Sequence, residues 1–468
     1  MRFPTAVRGL AGPAAPAAAP VAAGATKGRR DRRYGLLLMG MLWFQILYMV
    51  LYISDPTTAL ANGNNPMAAN PLSRFYKLIL LAIAAIIIGS RMQLAREVLQ
   101  KLNRAFVVFF AVAMLSVVWS IDPSVTAARL VALASMVSVC IAFGVGAWYP
   151  KRLQDVLRAP ITFVLIASLI VGMFDPTLVK ETGDTLSLKN AWHGLTSQKN
   201  EFGELSSFGI ILWFHGWLAR DVRWYLALAG AALGGVCLVL SRSSTSLLCT
   251  ALAVVLILIL MRSGPATRRY MPYIVGTFAA LCALYGLSVM KVVPGIEKIL
   301  LDPVMKLTGK SMDFSGRTDI WQIVGENIAR HPYLGSGYAA YWGAGPIPSS
   351  PSYEFIGRMY GFWPTESHNG YYEIRNDLGM VGLLSLLSYI FIYLRQAISL
   401  FKIDRAQSTL FLALLFQQTL LNLSESTWLD IDNFCFTIMT AATVVIARSL
   451  VEHKRGNYGP AIKWPKGP

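Results

Sequence analysis

Two segments of the chain hold side chains suited to work on an anionic substrate: Arg317 in GRTDIW (316–321) and His368 in ESHNGYY (366–372). Downstream of Arg317, Ile320, Val324 and Ile328 recur every four residues and Pro332 ends the pattern. That spacing predicts an amphipathic helix over 318–330, with Arg317 just before it. Free N–H groups and the positive end of the dipole favour an anion at such a helix start. The planar guanidinium is suited to phosphate. An imidazole at its ordinary pKa is neutral near pH 7 and can take a proton from a sugar hydroxyl, so His368 is a candidate general base. If 368–377 is helical, His368, Tyr372 and Arg375 share one face. The plainer alternatives are a solvated loop arginine and a histidine bonded to a loop carbonyl.

Further polar residues stand at the ends of apolar runs. Arg242 lies in LVLSRSSTS (238–246), where Ser241, Ser243, Ser244 and Thr245 offer hydroxyls for a polar pocket. Snorkelling to headgroups is the plainer reading of that arginine. Lys199 and Asn200, in TSQKNEFGE (196–204), sit at the start of another run, with Glu201 and Glu204 close behind. Arg129 follows WSIDPSVTAA, and an ion pair with an acidic group on another helix is its simplest account. Asp430 and Asp432 form an Asp-x-Asp that can hold a divalent cation, or can sit at a helix start where the dipole favours acids. No Walker loop, zinc spacing, dinucleotide fingerprint or nucleic-acid module is present. Cys140, Cys237, Cys249, Cys282 and Cys435 all fall in apolar runs, without metal spacing, and read as small packing residues.

The elements that must position these groups are mostly apolar. The 468 residues are 55% hydrophobic and 14% charged, against about 25% charged in a soluble domain. Runs of the length needed to cross a bilayer, about 17–25 residues, recur through the chain. Twelve spans are expected near 34–54, 75–90, 105–120, 125–147, 159–174, 203–219, 224–240, 246–262, 271–290, 378–396, 408–422 and 431–450. With twelve, the segments containing GRRDRR (28–33), 91–104, 150–158, 219–223, 262–269, 395–405 and 452–455 fall on one side. Every basic short loop is in that set, so the positive-inside rule makes it cytoplasmic. The net charge of +17 is therefore spread over loops and tails, which points to membrane orientation and away from nucleic acid.

The organisation expected is a disordered basic cytoplasmic tail (1–33), transmembrane helices 1–9 (34–290), an external loop of about 85 residues (291–377), helices 10–12 (378–450) and a cytoplasmic tail (451–468). The Ala-rich stretch 14–25 imitates a signal peptide, but its prolines and the basic cluster after it argue for a tail. Ionisable groups cluster at the outer ends of the spans and the mid-span segments are nearly free of charge. A transporter usually carries such groups near the midplane. The distribution favours an enzyme with a one-sided site.

The ordered set WSIDP, SQKNEFG, LSRSSTS, GRTDIW with HPYLGSGY (331–338), and ESHNGYYEIRNDLGMVG resembles the O-antigen ligase and polysaccharide polymerase superfamily. It is most similar to the Wzy-like branch of ExoQ-type exopolysaccharide polymerases. The resemblance runs from about residue 34 to 450. It implies an all-α polytopic membrane protein of about twelve helices, GT-C-like, with one large periplasmic loop between helices 9 and 10. It also implies a bacterial inner-membrane location and inverting transfer of glycan from undecaprenyl diphosphate at the periplasmic face. No metal, cofactor or nucleotide sugar is implied. On that resemblance Arg242 and Arg317 hold the diphosphate, His368 activates the acceptor, and Lys199 and Asn200 match a Lys-Asn segment. Arg375, Tyr372 and Arg129 are accessory substrate contacts. The expected partners are the lipid-linked oligosaccharide, the bilayer, and a chain-length regulator and flippase of the same pathway. A ligase acting on lipid A core uses the same chemistry, and a lipid-linked oligosaccharide transporter is the alternative of another class. One departure stands out: SRSSTS has a single arginine where some ligases have two.

Overall fold

The computed structural model describes residues 22–51, 71–181, 190–262, scattered positions between 264 and 284, 317–343 and 364–459. The expected ninth span, most of the first half of the long loop and residues 344–363 lie outside them. The described residues form thirteen α-helices and no strand, with one isolated bridge between Lys180 and Trp192. In chain order they are α1 (Ala22–Leu51), α2 (Pro71–Ser90), α3 (Met92–Lys101), α4 (Arg104–Leu115), α5 (Pro123–Gly146), α6 (Arg152–Phe174) and α7 (Lys199–Leu218). There follow α8 (Trp224–Ser241), α9 (Ser244–Arg262), α10 (Arg317–Arg330), α11 (Gly370–Leu400), α12 (Arg405–Leu421) and α13 (Phe434–Lys454).

Several helix starts are set by single side chains. Asp122 accepts from the backbone of Ser124 and Val125, and Pro123 occupies the first helical position of α5. Asn103, Asp404 and Asn433 cap α4, α12 and α13 in the same way, each satisfying N–H groups that a helix leaves unpaired. The buried Asn103 also donates to the carbonyl of Tyr389 at 2.9 Å, which ties α4 to α11.

Among the described residues six helices are long and apolar enough to cross a membrane: α5, α6, α8, α9, α11 and α13. A seventh crossing arises if Phe75–Ser90 and α3, bent by 99° to each other, count as one. The test on length and composition thus gives fewer than the twelve expected, for physical reasons. α7 carries Glu201, Glu204, Ser206 and Ser207 turned inward, and α12 has 17 residues with Gln417 and Gln418 buried. The apolar parts of α1 and α4 are short, Gly35–Leu51 and Arg104–Val118. α1 starts at Ala22, so the helix takes in GRRDRR, and the tail boundary expected at 33 is not a helix boundary.

α13 is the central pillar, with 89% of its apolar window buried, whereas α8 and α9 bury only 33% and 39%. Peripheral helices turn apolar faces outward, as Phe163, Ile166, Ile170 and Met173 do on α6. Such a belt is what a lipid solvent demands.

The two ends of the bundle differ in chemistry. At one end the basic segments meet: Lys151 pairs with Asp221, Arg455 with Glu97 at 2.7 Å, and Gln396 donates to the carbonyl of Lys101. Arg405 reaches the carbonyl of Leu260, and Tyr458 donates to Asp404. A cavity of about 530 Å³ lined by Trp217, Arg220 and Arg262 lies at this end.

At the other end the long loop docks on a broken helix. Gly379 interrupts α11 with φ +63. Met380 N and Val381 N then bond the carbonyls of Pro332 and Tyr333 instead of their own helix. Ser336 N and Gly337 N bond the carbonyls of Asn376 and Asp377 from the other side. A Cβ at Gly379 would lie 2.2 Å from the Tyr333 carbonyl carbon, so only glycine fits this positive-φ position.

Candidate functional site

The predicted helix is realised as α10, with Ile320, Val324 and Ile328 buried. Arg317 is its first residue and does not precede it. These residues pack with Tyr341 and Trp342 into a small core apart from the main one. Trp321, one turn after Arg317, donates to the carbonyl of Ser367 at 2.9 Å and stacks on Tyr372 with ring centres 5.9 Å apart. Arg317 is thereby carried on an element fixed to the residue before His368.

His368 is not on the helix that follows it. Asn369 caps α11, accepting from the backbone of Tyr371 and Tyr372, and His368 sits before the cap with φ +49. The shared face expected for His368, Tyr372 and Arg375 therefore fails for the histidine, while Tyr372 and Arg375 remain neighbours on α11. The turn is held by backbone: Gly370 N donates to the carbonyls of Asn422 and Glu425, both at 2.9 Å. Asn369 N donates to Ser426 Oγ at 3.0 Å.

Two carboxylates face the ring. Nδ1 of His368 lies 3.1 Å from Glu366 Oε1 and 3.3 Å from Glu425 Oε2. Gln198 Nε2 approaches Glu366 Oε1 at 3.4 Å, and Asn200 Nδ2 donates to Glu425 Oε1 at 2.8 Å. The backbone N–H of Ser426 donates to Glu366 Oε2 at 3.2 Å. Burial alone would lower the pKa of His368, but the charge and hydrogen bond of Glu366, followed by Glu425, push it up to about 10. Burial would raise Glu366, and the adjacent imidazolium holds it below the usual carboxylate range. The two carboxylates thus favour the protonated ring over the neutral imidazole expected from the sequence.

The trio is the one set of His, Cys, Asp or Glu side chains among the described residues whose ligand-type atoms all lie within 4.8 Å of one another. A proton on Nδ1 satisfies both carboxylates, so the arrangement closes without a cation.

The remaining predicted residues fall around α7. Lys199 is the first residue of α7, and its backbone N–H donates to Glu181 at 2.7 Å. Arg242 is an exposed residue at the left-handed turn, φ +51, between α8 and α9. Of the hydroxyls expected to line a pocket, those of Ser244 and Thr245 are half-buried, whereas Ser241 and Ser243 are buried together with Ser246. These last three lie against Gly203, where a Cβ would come within 2.8 Å of Ser243 Cβ. Gly203 is three residues beyond Asn200, about 4.5 Å along the helix axis, so α7 connects the Arg242 turn to the His368 cluster.

Arg129 and the Asp-x-Asp answer one another. Arg129 Nη2 lies 3.1 Å from Asp432 Oδ2, and Asp432 N donates to Asp430 Oδ1 at 2.9 Å. The arginine thus has the ion pair that was its simplest account, and Asp432 is a pairing residue. Cys140, Cys237, Cys249 and Cys435 are buried and in no disulfide, as packing residues are; Cys282 lies outside the described residues.

Residues 228–387 match the model of the O-antigen ligase family. Over that third of the chain it is similar to the O-antigen ligase family. The match covers Arg242, Arg317, His368, Tyr372 and Arg375, whereas Arg129, Lys199, Asn200 and Glu425 lie outside it. The exopolysaccharide production protein ExoQ of Rhizobium meliloti is 28% identical over 381 residues, covering 78% of this chain and 79% of that protein. The recognised superfamily and its exopolysaccharide branch both find a match, and with them a polymerase- or ligase-type role in polysaccharide production by a polytopic membrane protein.

Sequence reasoning left Glu366, Glu425 and Gln198 without roles. Glu366 and Gln198 stand inside quoted motifs, two and one residues from His368 and Lys199. Glu425, in NLSESTWLD, gave no signal beyond being acidic in a short polar segment.

Proposed function

We propose that the protein polymerises lipid-linked polysaccharide repeat units, transferring glycan from undecaprenyl diphosphate to a hydroxyl of another repeat unit with inversion at the sugar carbon. Twelve spans, cytoplasmic termini and a periplasmic site complete this reading. The gathering of the basic segments at one end of the bundle supports that orientation. The observation that carries the reaction is the His368 ring held by Glu366 and Glu425 at the opposite end.

The acceptor oxygen attacks the sugar carbon from the face opposite the diphosphate, and the carbon–phosphate oxygen bond breaks with its electron pair leaving on the diphosphate. Arg317 and Arg242 neutralise the charge that builds there, with Arg375 beside them. Such electrostatic stabilisation is worth about 100- to 1,000-fold per donor. Once the imidazolium has given up its Nε2 proton, which the raised pKa defers to higher pH, Nε2 of His368 takes the proton of the attacking hydroxyl while Nδ1–H stays on the carboxylates, a contribution of about 100- to 10,000-fold. No metal or nucleotide sugar takes part. A lipid-linked oligosaccharide transporter would place such ionisable groups near the bilayer midplane, not at one end of the bundle.

The family description favours a second reading, a ligase that passes the same glycan to lipid A core. Purified protein given lipid-linked repeat unit alone separates the two. A polymerase lengthens it, and a ligase forms product only when lipid A core is added. His368→Ala and Arg317→Ala should leave single repeat units with the protein still inserted. Full-length polymer from both variants would sink the site assignment.

A further inference from the structure

We propose that the Gln198–Lys199–Asn200 segment acts on the base and not on the lipid diphosphate. Its two amides brace the carboxylates that aim His368, and Glu425 is the main positioning residue. This deepens the reading of His368 given above and rests on it.

The geometry is specific. Gln198 and Asn200 flank Lys199 at the start of α7, and each reaches a different carboxylate: Gln198 approaches Glu366 at 3.4 Å and Asn200 binds Glu425 at 2.8 Å. The two carboxylates come from separate elements, the segment before α11 and the α12–α13 connection, and converge on one ring nitrogen. The Glu425 side chain is only 5% exposed. A carboxylate this buried needs its oxygens bonded, and Asn200 bonds one oxygen while His368 bonds the other. With one of its two N–H donors on the Glu425 carboxylate at 2.8 Å, Asn200 holds a negative charge beside its N–H₂ group that would repel a phosphate.

The clamp has a chemical consequence. A carboxylate on Nδ1–H fixes the tautomer and the ring plane, so that Nε2 alone is left for the acceptor hydroxyl. In the transfer step the O–H bond of the acceptor breaks and Nε2 receives the proton. The sugar carbon exchanges its bond to the diphosphate oxygen for one to the acceptor oxygen. The charges acting on the ring are Glu366 before α11 and Glu425 from the α12–α13 connection. Glu201 on α7, Glu373 on α11 and Asp430 near α13 act in turn on Glu366, Glu204 on α7 acts on Glu425, and Arg129 on α5 acts on Asp430. Both groups on the ring are acidic, so removing one negative charge makes it less basic.

The test is steady-state kinetics on the full chain in lipid nanodiscs, with purified lipid-linked repeat unit as donor and acceptor. Glu425→Gln should lower kcat by roughly 100-fold or more, and Asn200→Ala by roughly 10- to 100-fold. KM for the lipid-linked substrate should stay within about twofold for both. The rising limb of the pH–rate profile should move to lower pH in Glu425→Gln, which removes a negative charge from the ring. Glu425→Asp should restore part of the rate and part of the limb. Misfolding is not the expected confounder, because the His368 turn is also held through backbone by Gly370 and Asn369. An Asn200→Ala variant with raised KM and intact kcat would put the segment back on the diphosphate. A limb unmoved in Glu425→Gln would overturn the clamp. A His368→Ala enzyme that still polymerises would instead refute the parent reading, before the clamp is at issue.

Discussion

The indole of Trp321 donates to the carbonyl of Ser367 at 2.9 Å while its ring lies against Tyr372 at an angle of 23°. The helix that begins at Arg317 is therefore locked to the residue preceding His368. Trp321→Phe keeps the ring contact and removes the hydrogen bond, worth about 1 kcal/mol. Polymer formation should fall by roughly fivefold. Trp321→Ala removes both contacts and should cost more. Repeat-unit ladders at matched membrane protein levels measure this, and equal ladders in all three proteins would show that α10 needs no such tether.

The pH dependence follows from the charge on His368. A base pushed up to about 10 is mostly protonated at pH 7, so activity should climb as pH rises from 7 towards 10. If the imidazolium instead served as a cation, activity would fall over that range. Stability carries a defined sign as well. A histidine raised from 6.5 contributes stability that is complete below pH 6.5 and is lost as pH rises to about 10. Glu366, held below its ordinary 4.5, contributes stability present above pH 4.5 and lost as pH falls through its lowered value. Thermal unfolding of the parent and His368→Asn in parallel, between pH 4 and 10, checks both limbs.

Glu366, His368 and Glu425 also make a forecast about chelators. Because a proton on Nδ1 already joins the three, EDTA should leave the rate unchanged, and added zinc should inhibit by displacing that proton. A rate lost to EDTA and regained with magnesium or manganese would mean that a cation belongs in the cluster.

Arg129 and Asp432 should behave as a structural pair. Arg129 is 12% exposed and Asp432 61%, so the Coulomb attraction is partly screened and the coupling should be about 0.5–1 kcal/mol. A double-mutant cycle with Arg129→Gln and Asp432→Asn, read by unfolding in detergent, measures it. Additive losses would mean that the contact contributes nothing.

What the sequence discloses and what it hides divide along chain distance. α10 was legible because Ile320, Val324 and Ile328 follow a local period, and helix starts at Asp122 and Asn433 follow local capping rules. Arg129 was read as half of an ion pair, but its partner Asp432 lies 303 residues away and no local pattern names it. Asn369 is itself a capping residue before Gly-Tyr-Tyr, so the start of α11 was readable. Extending the helix back to His368 overrode that signal. Glu425 was illegible for a different reason. Its role exists only where the α12–α13 connection meets α7 and the His368 turn, and a lone acid in a polar segment looks like any solvated side chain.

Because α13 runs through the middle of the bundle with almost no surface towards lipid, Glu425, buried near its head, is shielded from what happens in the surrounding bilayer. Stripping annular lipid during solubilisation should loosen α6, α8 and α9 first. A detergent-extracted sample would then lose the packing of these outer helices while the His368 cluster still titrates as it did in the membrane.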